Sequence, residues 1–199
     1  MTRLLLAIAA IQMSACAGMR AAAFTAPAPT PRNIPVCSGY GCANIDTVRL
    51  DEAEWRAVRA RFHPRADSPA AERRLLAGAI GQLERSVGPK TGTEGDKGGT
   101  FPGMFEAGQM DCIDESTNTT VYLRLLAAEG LLRWHTVGEP VTRGYFVFGW
   151  PHTTATIREK NSADEYAVDS WFFDNGAEPV IIPLEQWRDG WNPPAAAKP

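Results

Sequence analysis

The stretch Gly108-Gln109-Met110-Asp111-Cys112-Ile113-Asp114-Glu115 decides the fold, because it joins a glycine-rich passage to a segment that can form a helix. We expect that helix to cover residues 112–129 and to end at Gly130. Helical spacing gives it one face that is small and polar near the cysteine and apolar further on, formed by Cys112, Ser116, Thr119, Leu123 and Leu126. A cysteine at a helix N-terminus can become a thiolate, because the helix dipole stabilises negative charge there.

The composition fits one globular domain with tails. The chain has 199 residues, of which 44% are hydrophobic and 22% charged, and its formal net charge is −3. No run of Lys and Arg is long enough to suggest a phosphate-binding surface, so we expect no nucleic-acid partner.

The first residues are typical of an export signal. Arg3 precedes an apolar run at residues 4–11, which is too short to cross a bilayer and predicts a signal peptide over residues 1–15. The run ends at Met13-Ser14-Ala15-Cys16, which resembles a bacterial lipobox and implies that Cys16 is lipidated. Ordinary cleavage after Ala15-Cys16-Ala17 is the alternative. Both predict export, and the first predicts a lipid anchor on the periplasmic side of a bacterial membrane.

Export changes the interpretation of the cysteines, because the periplasm favours disulfides. Cys37 and Cys42 enclose a short segment with two glycines, which predicts a structural disulfide; a redox or metal role is the alternative. If Cys16 carries lipid, Cys112 lies outside both modifications. We expect residues 16–35 to form a Pro/Ala-rich linker, residues 36–191 the domain and residues 192–199 a flexible tail.

Two more helices are predicted before the cysteine, and strands after it. The first helix covers residues 51–62, and the second begins with Ser68 as N-cap and Pro69 as first residue and ends at Gly88-Pro89. Strands are expected at residues 132–137, 144–148, 152–159 and 165–170. This order predicts an α+β fold in which the helices, including the one that bears Cys112, pack on an antiparallel sheet.

The last predicted hairpin brings a base and an acid together. If its turn is Lys160-Asn161, His152 lies directly opposite Asp169; if the turn is Asn161-Ser162, the two are diagonal neighbours on one face. A slip of one residue would separate them across the sheet. His63 and His135 are weaker candidates for the base, and Asp174 and Glu178 are alternative acids.

These residues resemble a known family. Asp111-Cys112-Ile113-Asp114, followed by His152 opening a strand and Asp169 ending the next, resembles the transglutaminase-like cysteine peptidases of bacteria, which belong to the papain-like superfamily. The resemblance covers residues 108–172, although the family usually has Gly, Glu and Asn where this chain has Met110, Ile113 and Ser170. It implies a catalytic triad of Cys112 as nucleophile, His152 as base and then acid, and Asp169 as the group that orients the imidazole.

The resemblance also implies an activity. We expect an exported hydrolase that cleaves a peptide or amide of the cell envelope through a thioester, with Gln109 or the backbone N–H of Cys112 stabilising the oxyanion. A binding or structural envelope lipoprotein on the same fold is one alternative, and acyl transfer to an amine is another. We expect no cofactor, although some relatives bind calcium beside the cysteine and Asp111 and Asp114 could do so here. Solvated acids are the simpler interpretation of that pair.

Overall fold

A computed structural model describes residues 28–99, 106–144 and 151–194. Antiparallel strands and helices make up this part of the chain, in agreement with the predicted α+β class. The helices are α1 (Glu52–Ala60), α2 (Pro69–Thr91), α3 (Cys112–Ala128) and α4 (Leu184–Arg188). The strands are β1 (Ile34–Ser38), β2 (Asn44–Val48), β3 (His135–Val137), β4 (Val141–Arg143), β5 (His152–Glu159), β6 (Glu165–Asp169) and β7 (Val180–Pro183).

Two antiparallel sheets flank the central helix. The larger has the order β3-β5-β6-β7, and β4 pairs with the beginning of β5. The smaller is the hairpin of β1 and β2. Helix α3 contacts both β1 and β5, and α2 packs against α3. Among the residues that the structure describes, no helix is both long and apolar enough to span a membrane.

Helix α3 is buried on nearly every side. Its predicted extent is confirmed, with Gly130 at a φ of 70° just after the end. Burial extends beyond the face that the helical spacing defines, because every residue from Asp114 to Leu123 is buried. A helix that is covered all round lies at the centre of a domain. The apolar core around it includes Ile80, Leu83, Leu123, Leu126, Ile157 and Val168.

The helix starts follow the capping residues in the sequence. Asp51 caps α1 by accepting hydrogen bonds from the N–H groups of Ala53 and Glu54. Ser68 caps α2 through the N–H of Ala71, and a proline occupies the first turn as predicted. Trp55 is buried on the face that α1 turns towards the core.

The predicted end of α2 was wrong. The helix continues through Pro89 to Thr91, and Gly92 caps it at a φ of 73°. Pro89 removes only one N–H donor, and it does so in the last turn, where few further intrahelical bonds depend on it. The Thr91 hydroxyl reaches the carbonyls of Val87 and Gly88, and the N–H of Gly92 donates to Gly88, so these two carbonyls of the last turns accept hydrogen bonds.

The strands agree with the sequence only in part. The predicted strand at 152–159 is confirmed, the one at 165–170 is one residue shorter, and the one at 132–137 is reduced to His135–Val137. Most of the strand expected at residues 144–148 lies outside the described residues. The sequence did not predict β1, β2, β4, β7 or α4. Ile34 and Pro35, the last residues of the predicted linker, belong to β1, where Ile34 is fully buried.

Candidate active site

His152 and Asp169 meet at one end of the larger sheet, where β5 begins and β6 ends. Ala155 pairs with Val168, so Asp169 is level with Thr154 and diagonal to His152. Of the two registers that the sequence allowed, this is the second. Nε2 of His152 lies 2.7 Å from Oδ2 of Asp169, and both residues are buried. The hairpin therefore joins the two side chains in a short hydrogen bond shielded from water.

Aromatic rings enclose the imidazole. The ring centroids of Trp171, Phe172 and Trp187 lie 4.7, 5.2 and 5.5 Å from that of His152. Asp169 also accepts a hydrogen bond from the Trp187 indole at 2.7 Å and one from the backbone N–H of Trp171 at 3.2 Å. Nδ1 of His152 is buried and has no hydrogen-bond partner among the described residues. The imidazole is thus held through Nε2, and Nδ1 is the nitrogen that a substrate or nucleophile could contact.

Cys112 lies at the first position of α3. It is half-buried and takes no part in a disulfide. Its sulfur is 3.9 Å from the carbonyl oxygen of Pro151, the residue that precedes His152. The start of α3 therefore meets the start of β5, which places Cys112 beside the residue that precedes His152.

A capping box fixes the start of α3. Oδ1 of Asp111 accepts hydrogen bonds from the N–H groups of Ile113 and Asp114, both at 2.9 Å. The Asp114 carboxylate in turn accepts from the backbone N–H of Asp111 at 3.2 Å. These reciprocal bonds hold the backbone on both sides of Cys112.

The predicted disulfide between Cys37 and Cys42 is confirmed, and it closes a loop against the same two acids. The disulfide loop, residues 39–42, has four successive residues with φ between 60° and 82°, so its N–H groups turn towards one side. Those of Tyr40 and Cys42 donate to Asp114 at 2.7 and 2.6 Å, and that of Gly41 donates to Asp111 at 3.1 Å.

These hydrogen bonds bear on the calcium alternative. The carboxylates of Asp111 and Asp114, which the sequence offered as ligands, accept backbone N–H groups instead. Within the described part of the chain, no group of three or more His, Cys, Asp or Glu side chains is arranged to hold a metal ion.

The charge of the acid pair is smaller than the sequence suggests. Burial and the neighbouring charge of Asp111 together raise the pKa of Asp114 to about 7, against the opposing effect of the backbone N–H groups that it accepts. Asp114 therefore keeps its proton over much of the range below neutral pH. A thiolate at Cys112 meets correspondingly less repulsion from the first turn of its own helix.

A second group of acids lies behind the site. The carboxyl cluster, which consists of Glu84 on α2, Asp96 in the following loop and Glu115 on α3, is buried. Asp96 accepts the backbone N–H of Met110 at 2.7 Å and Glu84 that of Gly176 at 2.8 Å, and the charges of both acids act on Glu115. Burial raises the pKa of Glu84 to about 7 and that of Asp96 to about 6, and it raises the pKa of Glu115 well above the usual range.

The carboxyl cluster was not predicted from the sequence, although one of its acids lies at a telling position. Glu84 follows Ile80 by four positions and precedes Val87 by three, so it falls within the apolar stripe that α2 turns to the core. An acid in such a stripe must be paired or protonated when it is buried.

The other residues that the sequence offered as site candidates lie in other contacts or at the surface. The amide of Gln109 donates to the carbonyl of Gly95 and accepts the N–H of Lys97, so it braces the loop that precedes α3. Asp174 accepts the side chain of Lys97 and the N–H of Gly98. His63 and Glu178 are exposed. His135 is buried against Glu72.

Similarity to known proteins adds nothing to this geometry. A scan of family models and searches of curated proteins and of solved structures found no match to the chain.

Proposed function

We propose that the protein is an exported thiol hydrolase, a cysteine peptidase or amidase with a transglutaminase-like fold, that acts through Cys112, His152 and Asp169. The observation that carries the proposal is the buried hydrogen bond of 2.7 Å between His152 and Asp169, beside a helix N-terminus that bears a thiol. Nucleophile, base and orienting acid in this order are the parts that acyl transfer through a thioester requires.

The proposed reaction assigns one role to each nitrogen of His152. Nε2–H donates to Asp169, so Nδ1 takes the proton of the Cys112 thiol as the sulfur attacks the substrate carbonyl carbon. The imidazolium then gives that proton to the departing amine, and a thioester remains on Cys112. Water, deprotonated by the same nitrogen, hydrolyses the thioester and restores the thiol.

The oxyanion needs a donor beside the attacked carbonyl. The backbone N–H of Cys112, at the positive end of α3, is our assignment for that donor. The side chain of Gln109, the other candidate, is engaged with Gly95 and Lys97. A Gln109→Ala variant is therefore expected to loosen the loop before α3 rather than to abolish thiol reactivity.

Thiol reactivity tests the proposal. A free thiol has a pKa of about 8.5 and is almost entirely protonated at pH 6, whereas a thiol paired with an imidazole reacts there as thiolate. We expect iodoacetamide to alkylate Cys112 at pH 6, and His152→Ala to slow this reaction by about tenfold or more. Peptide mapping by mass spectrometry assigns the label to Cys112 and separates it from Cys16.

His63→Ala is the matched control, because it removes an exposed imidazole and should leave the labelling rate unchanged. The proposal fails if Cys112 reacts only near pH 8 to 9, as a free thiol does, and if His152→Ala has no effect. That result would favour a binding module on the same fold.

The fate of the thioester distinguishes two uses of the triad. With a glutamine peptide and an added amine, a hydrolase releases peptide acid, whereas acyl transfer releases ammonia and yields the substituted amide. Mass spectrometry of the product separates the two reactions.

Anchoring to the envelope is a separate part of the proposal. Residues 1–27, which include the signal peptide and Cys16, lie outside the described residues. The lipobox resemblance supports lipidation of Cys16, with the domain on the periplasmic side and a peptide or protein of the envelope as substrate. We expect Cys16→Ser to release the protein from the membrane fraction, as judged by fractionation and immunoblotting. Unchanged membrane association would contradict the lipid anchor.

A further inference from the structure

The last helix returns the chain to the candidate active site. Strand β7 pairs with β6, and Val180 lies opposite Asp169. The chain then turns at Pro183 into α4, which brings Trp187 back over the end of β6. Trp187 is fully buried, and its indole nitrogen is 2.7 Å from Oδ2 of Asp169.

The Trp187 indole requires Asp169 to act as a hydrogen-bond acceptor. An indole nitrogen can only donate a hydrogen bond, so Oδ2 of Asp169 must accept one from Trp187. Nε2 of His152 contacts the same oxygen at 2.7 Å, and Oδ1 accepts the N–H of Trp171. A proton on Oδ2 would have to compete with both nitrogens. The carboxylate therefore acts as an acceptor towards three donors, and Nε2 of His152 carries a hydrogen.

The hydrogen bond to Asp169 also fixes the tautomer of His152, the proposed base. When Nε2 of a neutral imidazole carries the hydrogen, the lone pair available to a thiol proton is on Nδ1. That nitrogen is buried and has no hydrogen-bond partner among the described residues. The opposite tautomer would place a hydrogen on Nδ1 and leave His152 unable to accept the proton of Cys112.

Arg143 holds the indole from the other side. Its guanidinium lies 4.5 Å from the centroid of the Trp187 ring and donates a hydrogen bond to the Trp187 carbonyl. The charges of Arg143 and of Glu115 on α3 both interact with that of Asp169. Trp187 is thus fixed at its ring, its N–H and its backbone.

We propose that Trp187 is a positioning residue of the thiol site, whose indole N–H keeps Asp169 an acceptor and thereby selects the His152 tautomer with its hydrogen on Nε2. This inference rests on the proposed function. Trp187 lies on α4, a helix that the sequence did not predict, and its hydrogen bond keeps Nδ1 of His152 available for Cys112.

Trp187→Phe tests the inference, because it keeps an aromatic ring and removes only the N–H donor. We expect ¹⁵N NMR of labelled histidine to show His152 with its hydrogen on Nε2 in the wild type and a mixture of tautomers in the variant. We expect the alkylation rate of Cys112 at pH 6 to fall about fivefold, the effect of one hydrogen bond, and the rate at pH 9 to change less than about twofold.

Trp134→Phe is the matched control. Its indole nitrogen also donates a hydrogen bond, to the carbonyl of Ala66, but away from Asp169. We expect this variant to keep the wild-type tautomer and the wild-type ratio of rates at pH 6 and pH 9. A general loss of packing would affect both variants alike, whereas the proposed role affects Trp187 alone.

The outcomes separate the two proposals. A Trp187→Phe variant that keeps the wild-type tautomer and the wild-type rate at pH 6 overturns the role of Trp187 and leaves the proposed function in place. A wild-type Cys112 that reacts as a free thiol overturns both. If the Phe variant does not fold, the wild-type spectrum still decides, because a hydrogen on Nδ1 of His152 contradicts the inference.

Discussion

Glu72 and His135 form a second buried acid–histidine pair, and it differs from the pair at the candidate active site. The Glu72 carboxylate accepts the backbone N–H groups of Arg133, Trp134 and His135, and it contacts Nδ1 of His135 at 2.9 Å. Nε2 of His135 lies 3.2 Å from the Arg73 guanidinium, which can only donate. Both ring nitrogens of His135 are therefore occupied, which makes it a structural residue rather than a base.

Removing the charge of Glu72 should destabilise the protein. Burial opposes ionisation, but the hydrogen bonds from His135 and the backbone lower the pKa of Glu72. Glu72→Gln would direct an amide group at backbone donors, and we expect it to lower the free energy of unfolding by about 2 to 3 kcal/mol. Urea denaturation measures the change. Glu52→Gln, at an exposed position, is the control, and equal stability of the two variants would contradict the assignment.

The site residues differ in how far sequence alone could identify them. Cys112, His152 and Asp169 could be proposed because each sits at the end of an element and because strand parity relates the last two. Trp187 could not, since its contact with Asp169 depends on β7 and α4 returning along the sheet. The apolar stripe of α2 marks Glu84 as a buried acid, but its meeting with Asp96 and Glu115 depends on packing between elements, which local periodicity does not report.

At the scale of elements, the disulfide loop binds the start of α3. Three of its N–H groups donate to Asp111 and Asp114, which flank Cys112 and Ile113 in the chain. The β1–β2 hairpin presents this loop, and Asn118 of α3 also bonds the backbone of Cys37. The smaller sheet is thus joined to the cysteine-bearing helix by several hydrogen bonds between distant parts of the chain.

Breaking the disulfide should therefore loosen the start of α3. Replacing both Cys37 and Cys42 by Ser should lower the free energy of unfolding by about 2 kcal/mol, the contribution expected for so short a closed loop. Urea denaturation with and without a reductant measures the change. Reductant should destabilise the wild type by a similar amount and leave the double variant unaffected. Equal stability of the reduced and oxidised wild type would contradict this role.

Elements fixed by interactions within one turn of the chain could be predicted, whereas elements fixed by distant packing could not. The caps at Asp51, Ser68 and Asp111 bond residues within one turn, so the three helix starts could be predicted. Strand β1 pairs locally with β2, but Cys37 and Ile34 are buried by α3, which lies far along the chain. No local pattern distinguishes such a strand from a linker.

At the scale of the whole molecule, the buried acids control the dependence of stability on pH. The pKa values of Glu84 and Asp114 are raised to about 7 and that of Asp96 to about 6, chiefly by burial. The folded state therefore binds protons that the unfolded chain releases at lower pH. This stabilising contribution is complete below the ordinary carboxyl range and is lost as the pH rises through about 6 to 7.

We expect the protein to be more stable at pH 5 than at pH 8. The difference in the free energy of unfolding should be at least about 2 kcal/mol, because one buried carboxyl with a pKa raised this far contributes about that amount. Glu72, whose pKa is lowered, contributes in the opposite sense and loses its effect only in acid. Urea denaturation at a series of pH values measures the curve, and stability that rises from pH 5 to pH 8 would contradict it.

Glu115→Gln isolates the carboxyl cluster, because glutamine has the shape of the protonated acid. Burial and the charges of Glu84 and Asp96 raise the pKa of Glu115. We expect the variant to match the wild type at pH 5 and to exceed it in stability at pH 8. A variant that is equally destabilised at both pH values would show that the cluster depends on a shared proton that glutamine cannot replace.

If the protein is exported as proposed, the disulfide has a further consequence for Cys112. Cys37 and Cys42 are five positions apart, and Cys112 lies seventy positions beyond them. Closing a short ring costs less entropy than closing a long one, so the two early cysteines pair with each other before Cys112 competes. In the folded protein the N–H of Cys42 bonds Asp114, two residues from Cys112, so the disulfide loop lies against the start of the helix that bears that thiol. Early oxidation of the hairpin thus removes the competing sulfur and preserves the later one.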